Sequence, residues 1–279
     1  MSFLEQTVRP NIRLIAADMD GTLLDDVGEL HDHFWPLIDE LHRRGVLFCP
    51  ASGRQYHKLL ERFADIADEV VFIAENGTYV VHQGREISSD CLDLADAAAV
   101  VTEVRTAVAG GLDGGAVLCG KRSAYVDRVD RRFTDIVSQY FARLEPVADL
   151  LDVVDDDVLK VSAYTFGSSE RDIAPVLARF VDTHTVTVSS EHWVDVTTPT
   201  ANKGAAIRAL QASYGISPAQ TMVFGDFLND LQMMDTADWS FAMGNAHPLL
   251  KARARYVAPT NIENGVVRTI SELMGLDWH

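Results

Sequence analysis

The stretch LIAADMDGTLLDD, residues 14–26, sets Asp18 and Asp20 one residue apart at the end of an apolar run, with Gly21 and Thr22 directly after them. In extended backbone residues i and i+2 face the same way, so both carboxylates can look into one space while Met19 faces away. Two carboxylates this close raise the pKa of at least one of them unless a cation intervenes. One member can then stay ionised as a nucleophile while the other carries a proton as a general acid. The competing reading is an Asp-rich turn in which the aspartates cap backbone amides and Gly21 supplies a positive φ, and Asp25 and Asp26 are read that way.

Three later stretches suit the same chemistry. PASGR, residues 50–54, puts Ser52 at a strand end, where its hydroxyl and the amides after it, at Gly53 and Arg54, suit a phosphoryl oxygen. TANKG, residues 200–204, places Lys203 behind Asn202 at a helix start, where the macrodipole disfavours a cation unless an anion lies nearby; a surface lysine is the alternative. VFGDFLND, residues 223–230, ends another strand with Asp226 and Asp230, spaced to offer oxygen ligands to a hard cation or, alternatively, to cap a helix.

The elements that must carry these residues alternate. NIRLIAAD reads as a buried parallel strand, residues 31–44 as a helix through Phe34, Leu37, Ile38 and Leu41 stopped by Gly45, VLFCPAS as a second strand, YHKLLERFADI as a second helix and DEVVFIAENG as a third strand. That rhythm predicts an open parallel sheet with helices on both faces, whose ligand crevice lies beyond the carboxyl ends of the strands, where Asp18 and Asp20 fall. From Gly84 the texture changes to a helix over 92–109, a glycine-rich loop and the short strand-like runs AVLCG, SAYVD, VLKVSAYTF and HTVTVSS. HWVDVTTP, the helix through KGAAIRALQASYG, TMVFGD, a helix at NDLQMMDTA, WSFAMG, ARYVAPT and a last helix from Gly265 restore the first rhythm. The expected plan is a Rossmann-like parallel-sheet α/β core of residues 1–83 and 192–279 with an inserted α+β cap of residues 84–191.

The 279 residues are 47% hydrophobic and carry a formal net charge of −17, so a globular fold is expected and nucleic acid is an unsuitable partner. A small phosphorylated ligand remains compatible if local cations or a metal reverse the field at one spot. MSFLEQTVRP lacks the basic and apolar regions of a signal peptide, and no apolar run reaches the roughly 20 residues of a membrane span, so the expectation is a cytoplasmic protein without membrane contact. Cys49, Cys91 and Cys119 form no C-x-x-C pair and read as buried apolar residues; His31, His33 and His42 read as a solvated helix face, and Trp193 and Trp239 as core.

Taken in order, D-x-D-G-T, S-G-R, N-K-G and G-D-x-x-N-D resemble the motifs of the haloacid dehalogenase-like superfamily of phosphohydrolases, in particular its Cof-type branch, over about residues 12–272. Ser52 and Lys203 stand 151 residues apart, whereas a βαβ crossover needs about 30, and in that branch a cap fills the gap. The resemblance implies that Asp18 attacks phosphorus to form an aspartyl-phosphate, and that Asp20 protonates the leaving oxygen and then deprotonates water. It also implies magnesium on the Asp18 carboxylate, the Asp20 carbonyl and Asp226, with Asn229 and Asp230 in support. Ser52 and Lys203 would neutralise the phosphoryl oxygens, and Gly53, Arg54, Asn76 and Asn202 would line the substrate side. Asn245 and Asn261 match positions that tie these loops together.

Two residues depart from the family pattern: Phe227 replaces a small residue and is expected to narrow the mouth of the site, and Asn264 replaces an aspartate near the outer metal shell. The implied activity is a magnesium-dependent phosphatase acting on a small phosphorylated metabolite such as a sugar phosphate, with a phosphomutase or a non-catalytic phosphometabolite-binding protein as alternatives. The cap holds no motif that names the leaving group, and its basic residues Lys121, Arg122, Arg128, Arg131 and Arg132 read as a solvated face before a second anion site.

Overall fold

The computed structural model describes residues 10–153 and 155–276, so the segment on which the absence of a signal peptide was read lies almost wholly outside the described residues. Leu14–Asp18 (β1) is buried along its whole length, as an apolar run without alternation predicts for a parallel strand covered on both faces. Phe34–Arg43 (α1) buries Phe34, Leu37, Ile38 and Leu41, the stripe expected of a helix on a sheet, and the chain turns at Gly45 with φ +68°. Leu47–Ala51 (β2), Tyr56–Arg62 (α2) and Val71–Ala74 (β3) complete the expected alternation.

Tyr79–His82 (β4) and Arg85–Ser89 (β5) then form a hairpin antiparallel to β3. The sequence carries no strong hairpin signal here, because the turn is Gln83-Gly84 rather than Asn-Gly or Asp-Gly. Both turn residues take positive φ, +51° and +67°, as a two-residue type I′ turn requires.

The inserted layer runs through Leu94–Ala109 (α3), Gly114–Gly120 (β6), Ala124–Val126 (β7), Arg131–Tyr140 (α4), Leu144–Pro146 (β8), Val158–Thr165 (β9), Ala174–Leu177 (α5), Thr185–Val188 (β10) and Trp193–Thr197 (β11). Lys203–Tyr214 (α6), Thr221–Gly225 (β12), Leu231–Met234 (α7), Trp239–Ala242 (β13), Pro248–Arg253 (α8), Tyr256–Val257 (β14) and Gly265–Met274 (α9) return to the first layer. Two sheets result. One has the order β14-β13-β12-β1-β2-β3-β4-β5 and is parallel through β3; the other has the order β10-β11-β9-β6-β7-β8 and is antiparallel except at β7–β8. Each packs around apolar clusters of its own.

Strand pairing moves both edges of the inserted layer. β5 belongs to the first sheet, and β11, within the HWVDVTTP segment assigned to the core, pairs antiparallel with β9 so that Asp195 lies opposite Ser162. The change of sheet therefore comes after Ser89 and after Thr197, one strand later at each end than expected. Among the described residues no helix is long and apolar enough to cross a membrane.

Candidate active site

The ends of β1, β2 and β12 open into a cavity of about 500 Å3 whose other wall comes from the second sheet and α4. Asp18, the last residue of β1, is 7% exposed. Lys203, at the first turn of α6, is wholly enclosed, donating one hydrogen bond to Asp18 Oδ1 and another, of 2.7 Å, to Asp230 Oδ1. The anion that a lysine at a helix start needs is thus Asp18 together with Asp230. The other oxygen of Asp230 accepts from the amides of Asp226 and Phe227 at 3.1 and 3.2 Å, which fixes the loop after β12. Asp226 in turn accepts from the Thr22 hydroxyl at 3.0 Å.

Gly21, at φ +76°, passes so close that a Cβ there would lie 2.5 Å from Asp226 Oδ2. Only glycine lets the two acidic loops approach in this way.

One oxygen from each of Asp18, Asp226 and Asp230 lies within 4.8 Å of the other two. Burial pushes the Asp18 carboxyl well above the usual range; the Lys203 ammonium opposes the shift, and the charges of Asp230 and Asp226 add to it. Burial and the Asp230 charge raise Asp226 to about 6. Burial also works against the Lys203 charge, but Asp18 and Asp230 outweigh it and hold the ammonium above its ordinary pKa. Three carboxylates against one ammonium leave negative charge uncompensated among hard oxygen donors, which fits a magnesium ion. Asp230 has both oxygens committed and so supports Lys203 and the 226–227 amides.

This arrangement sets a pH dependence. A carboxyl whose folded-state pKa is raised stabilises the fold while protonated, and that contribution is lost as pH rises from the unfolded value of about 4 through the folded one, about 6 for Asp226. A divalent cation stabilises the ionised form and offsets the loss. Millimolar magnesium is therefore expected to raise the melting temperature clearly above about pH 6, and progressively less as pH falls toward about 4; thermal melts across pH check it. A gain that grew toward acid would exclude these carboxyls as the ligands.

Asp20 lies on the open side of the crevice, its side chain 62% exposed, paired with Arg54 through contacts of 3.1 and 2.5 Å. Met19 between the two aspartates is buried, as the alternation required. The Ser52 hydroxyl accepts from the Arg54 amide at 3.1 Å and lines the cavity with Gly53, Arg54, Asn76 and Asn229. Asn229 Nδ2 stands 3.5 Å from Asn76 Oδ1. Asn202 is placed elsewhere: it caps α6 by accepting from Ala205 N at 2.9 Å and is absent from the cavity wall.

Asn245 donates to the Gly21 carbonyl at 2.7 Å and accepts from Asn261 N, while Asn261 donates to Leu24 O at 3.1 Å, so the pair stitches down the loop after β1. His31 joins them, its Nε2 2.9 Å from Asn261 O, which corrects its assignment to a solvated face. Phe227 stands on the cavity wall 46% exposed, and Asn264 adopts the left-handed conformation (φ +57°) that asparagine tolerates at a helix entry.

The cap-side wall was not legible. Lys160, Ser162, Ser189, Ser190 and Asp195 line it beside Tyr140, Phe141 and Trp193. Trp193 thus faces the cavity as well as packing at 5.4 and 5.9 Å between centroids on Tyr140 and Phe141. The signal was present in the charges of Lys160 and Asp195, each inside an apolar strand where an unpaired charge is expensive. The basic residues singled out in the cap are all paired with cap or neighbouring carboxylates: Lys121 with Glu86 and Asp157, Arg122 with Asp155 and Asp156, Arg128 and Arg132 with Asp113, and Arg131 with Asp135.

A family model described as haloacid dehalogenase-like hydrolase matches residues 15–270. A 5-amino-6-(5-phospho-D-ribitylamino)uracil phosphatase of Escherichia coli strain K12 is 32% identical over 267 residues, covering 95% of this chain and 97% of the relative. A crystal structure of a Streptococcus mutans UA159 protein superposes with a TM-score of 0.83 at 26% identity, covering 95% of this chain and 99% of that one. A sugar phosphatase of haloacid dehalogenase subclass IIB shares the fold with a TM-score of 0.78 at 20% identity, covering 95% and 100%. Motif order, parallel core sheet, inserted antiparallel layer and these likenesses agree: the chain belongs to the haloacid dehalogenase-like hydrolases, in their Cof-type branch.

Proposed function

We propose that this phosphatase hydrolyses the phosphomonoester of a small metabolite through an aspartyl-phosphate on Asp18, with magnesium as cofactor. The observation that carries the reading is the division of labour between two neighbouring aspartates, Asp18 buried against Lys203 at the cavity floor and Asp20 exposed on its rim. Asp18 attacks phosphorus, its carboxylate oxygen forming the new O–P bond as the bond to the leaving oxygen breaks. Asp20, released from Arg54, gives that oxygen its proton, and then takes one from the water that attacks the phosphoaspartate. The Ser52 hydroxyl and Arg54 guanidinium hold the equatorial phosphoryl oxygens, while Lys203 keeps Asp18 oriented. Magnesium, held by Asp18, Asp226 and the Asp20 carbonyl, supplies charge neutralisation on the phosphoryl group when bound.

The cavity wall combines four aromatic rings, those of Tyr140, Phe141, Trp193 and Phe227, with serine hydroxyls, which suits a leaving group with hydroxyls and a flat or apolar part. The E. coli relative's substrate, a phosphorylated ribityl chain on a uracil, has that combination and belongs in a panel with sugar phosphates. Unpaired Cys49, Cys91 and Cys119 accord with a reducing cytoplasm. The test is magnesium-dependent phosphate release from the panel with no second acceptor present: release supports hydrolysis, whereas turnover only with an added phosphosugar acceptor would make the protein a mutase.

The role of Asp20 gives a sharper expectation. Asp20→Asn is expected to lower kcat on sugar or polyol phosphates by about 10²–10⁴-fold. With p-nitrophenyl phosphate, whose leaving oxygen needs no proton, the first step survives, and a burst of nitrophenol equal to the enzyme concentration precedes slow turnover. Equal losses on both substrates without a burst would remove Asp20 from the acid role.

A further inference from the structure

The cavity wall opposite Asp18 holds a lysine enclosed by acceptors. Lys160, inside β9, is 3% exposed. Its Nζ stands 3.0 Å from Glu75 Oε2 and 3.3 Å from Asp195 Oδ2, and it donates to the Gly53 carbonyl at 2.9 Å. Hydrogen bonds to the Gly53 carbonyl and Asp195 engage two of the three ammonium N–H groups, and the Glu75 carboxylate stands beside it, so its charge is offset within this cluster rather than presented to an anion of the substrate. Asp195 also accepts from Ser162 at 2.5 Å, Ser189 at 2.7 Å and Asn76 at 3.0 Å. Lys160, Asp195 and the serines belong to the inserted layer, and Gly53, Glu75 and Asn76 to the core. One buried cluster therefore joins the two layers beside the phosphoryl site.

The core side of this cluster is conformationally costly. Glu75 and Asn76 both take positive φ, +50° and +59°, a region that side-chain-bearing residues occupy only when their surroundings impose it. The surroundings do so. The Glu75 amide donates to Arg54 O at 3.1 Å and the Asn76 amide to Ser52 O at 2.9 Å. Gly77 packs so tightly that a Cβ there would lie 2.5 Å from Asn202 O, at the start of the helix carrying Lys203. The loop of residues 75–77 thus touches the Ser52–Arg54 turn on one side and the base of α6 on the other.

We propose that Lys160 is a positioning residue for phosphoryl transfer: by seating the inserted layer on Gly53 and on the 75–77 loop, it fixes the Ser52–Arg54 turn in the geometry that grips the phosphoryl group. The inference rests on the phosphatase reading above and assigns the cap a role in the common chemical step, in addition to any contact with the leaving group.

Lys160→Met alone strands two buried acids, so the main variant is Lys160→Met/Glu75→Gln, which removes one charge of each sign; Glu75→Gln alone, which keeps the Lys160–Asp195 pair, is the milder second variant. Thermal melts establish folding. For the double variant kcat is expected to fall about 10²-fold, by the same factor for p-nitrophenyl phosphate and for the best substrate in the panel, with any rise in KM equal for the two. Glu75→Gln is expected to fall about tenfold in the same substrate-independent way. Binding of inorganic phosphate, measured by calorimetry, weakens about tenfold in the double variant.

A loss confined to KM, and only for substrates bearing a second anionic group, would make Lys160 a substrate-binding cation and overturn the inference. Unchanged kcat and phosphate affinity in the folded variants would overturn it as well. Should the native protein hydrolyse no phosphomonoester, the phosphatase reading fails separately, and the ratio of phosphate affinities still decides the role of Lys160.

Discussion

Asp18→Asn is expected to eliminate phosphate release, by on the order of 10⁴-fold or more, while leaving a folded protein that no longer gains stability from magnesium. Asparagine keeps the shape of the side chain but has no anionic oxygen to attack phosphorus, and neither Asp230 nor Asp20 is placed to substitute. Both Asp230 oxygens are engaged by Lys203 and by two backbone amides, and Asp20 sits exposed against Arg54. The fold survives because Lys203 retains Asp230 at 2.7 Å, so the buried ammonium is never left alone. The two readouts separate the two parts ascribed to Asp18. Phosphate release measures the nucleophile; the magnesium-induced rise in melting temperature above about pH 6, where Asp226 is also ionised, measures the ligand. Residual turnover near the native rate would sink the covalent mechanism, and an undiminished magnesium shift would place the ion elsewhere.

The parts of this molecule that were legible in the sequence are those governed by local rules. β1 is an apolar run with no alternation and lies buried in mid-sheet; α1 follows a stripe of four apolar residues and stops at a glycine with positive φ. Asp18, Ser52, Lys203 and Asp226 stand at strand ends or a helix start, where backbone geometry alone aims them at the crevice, so their spacing was enough to group them. What escaped depends on pairing between distant segments. HWVDVTTP has the same texture whether it joins one sheet or the other, and only its antiparallel register with β9 puts Asp195 opposite Ser162. Lys160 and Asp195 lie in different strands and meet Glu75 and Gly53 of the other layer, a contact that no periodicity encodes. Asn202 shows the converse: it belongs to the motif, but its side chain caps α6 and donates to the Thr200 carbonyl, away from the cavity wall.

Lys203→Met carries the second large effect, and it falls on folding as well as on turnover. The substitution preserves an unbranched chain of similar length and removes the only cation, among the described residues, in contact with Asp18 and Asp230. Breaking a buried ion pair from one side typically costs about 3–5 kcal/mol, and the loss should depend on pH with a definite sign. Without the ammonium, Asp18 and Asp226 are pushed further above their unfolded values. Their protonated forms then stabilise the fold at low pH, and that contribution disappears as pH rises through about 6 and beyond. Urea unfolding is therefore expected to show the largest deficit above about pH 6 and a shrinking one toward about pH 4. Magnesium, as a replacement for the lost positive charge, should recover part of the stability at neutral pH without recovering phosphate release, because it cannot hold Asp18 in the orientation that the Lys203 hydrogen bond imposes. A deficit of equal size at every pH would mean that Lys203 contributes by packing alone, and recovery of turnover together with stability would reduce its role to charge balance.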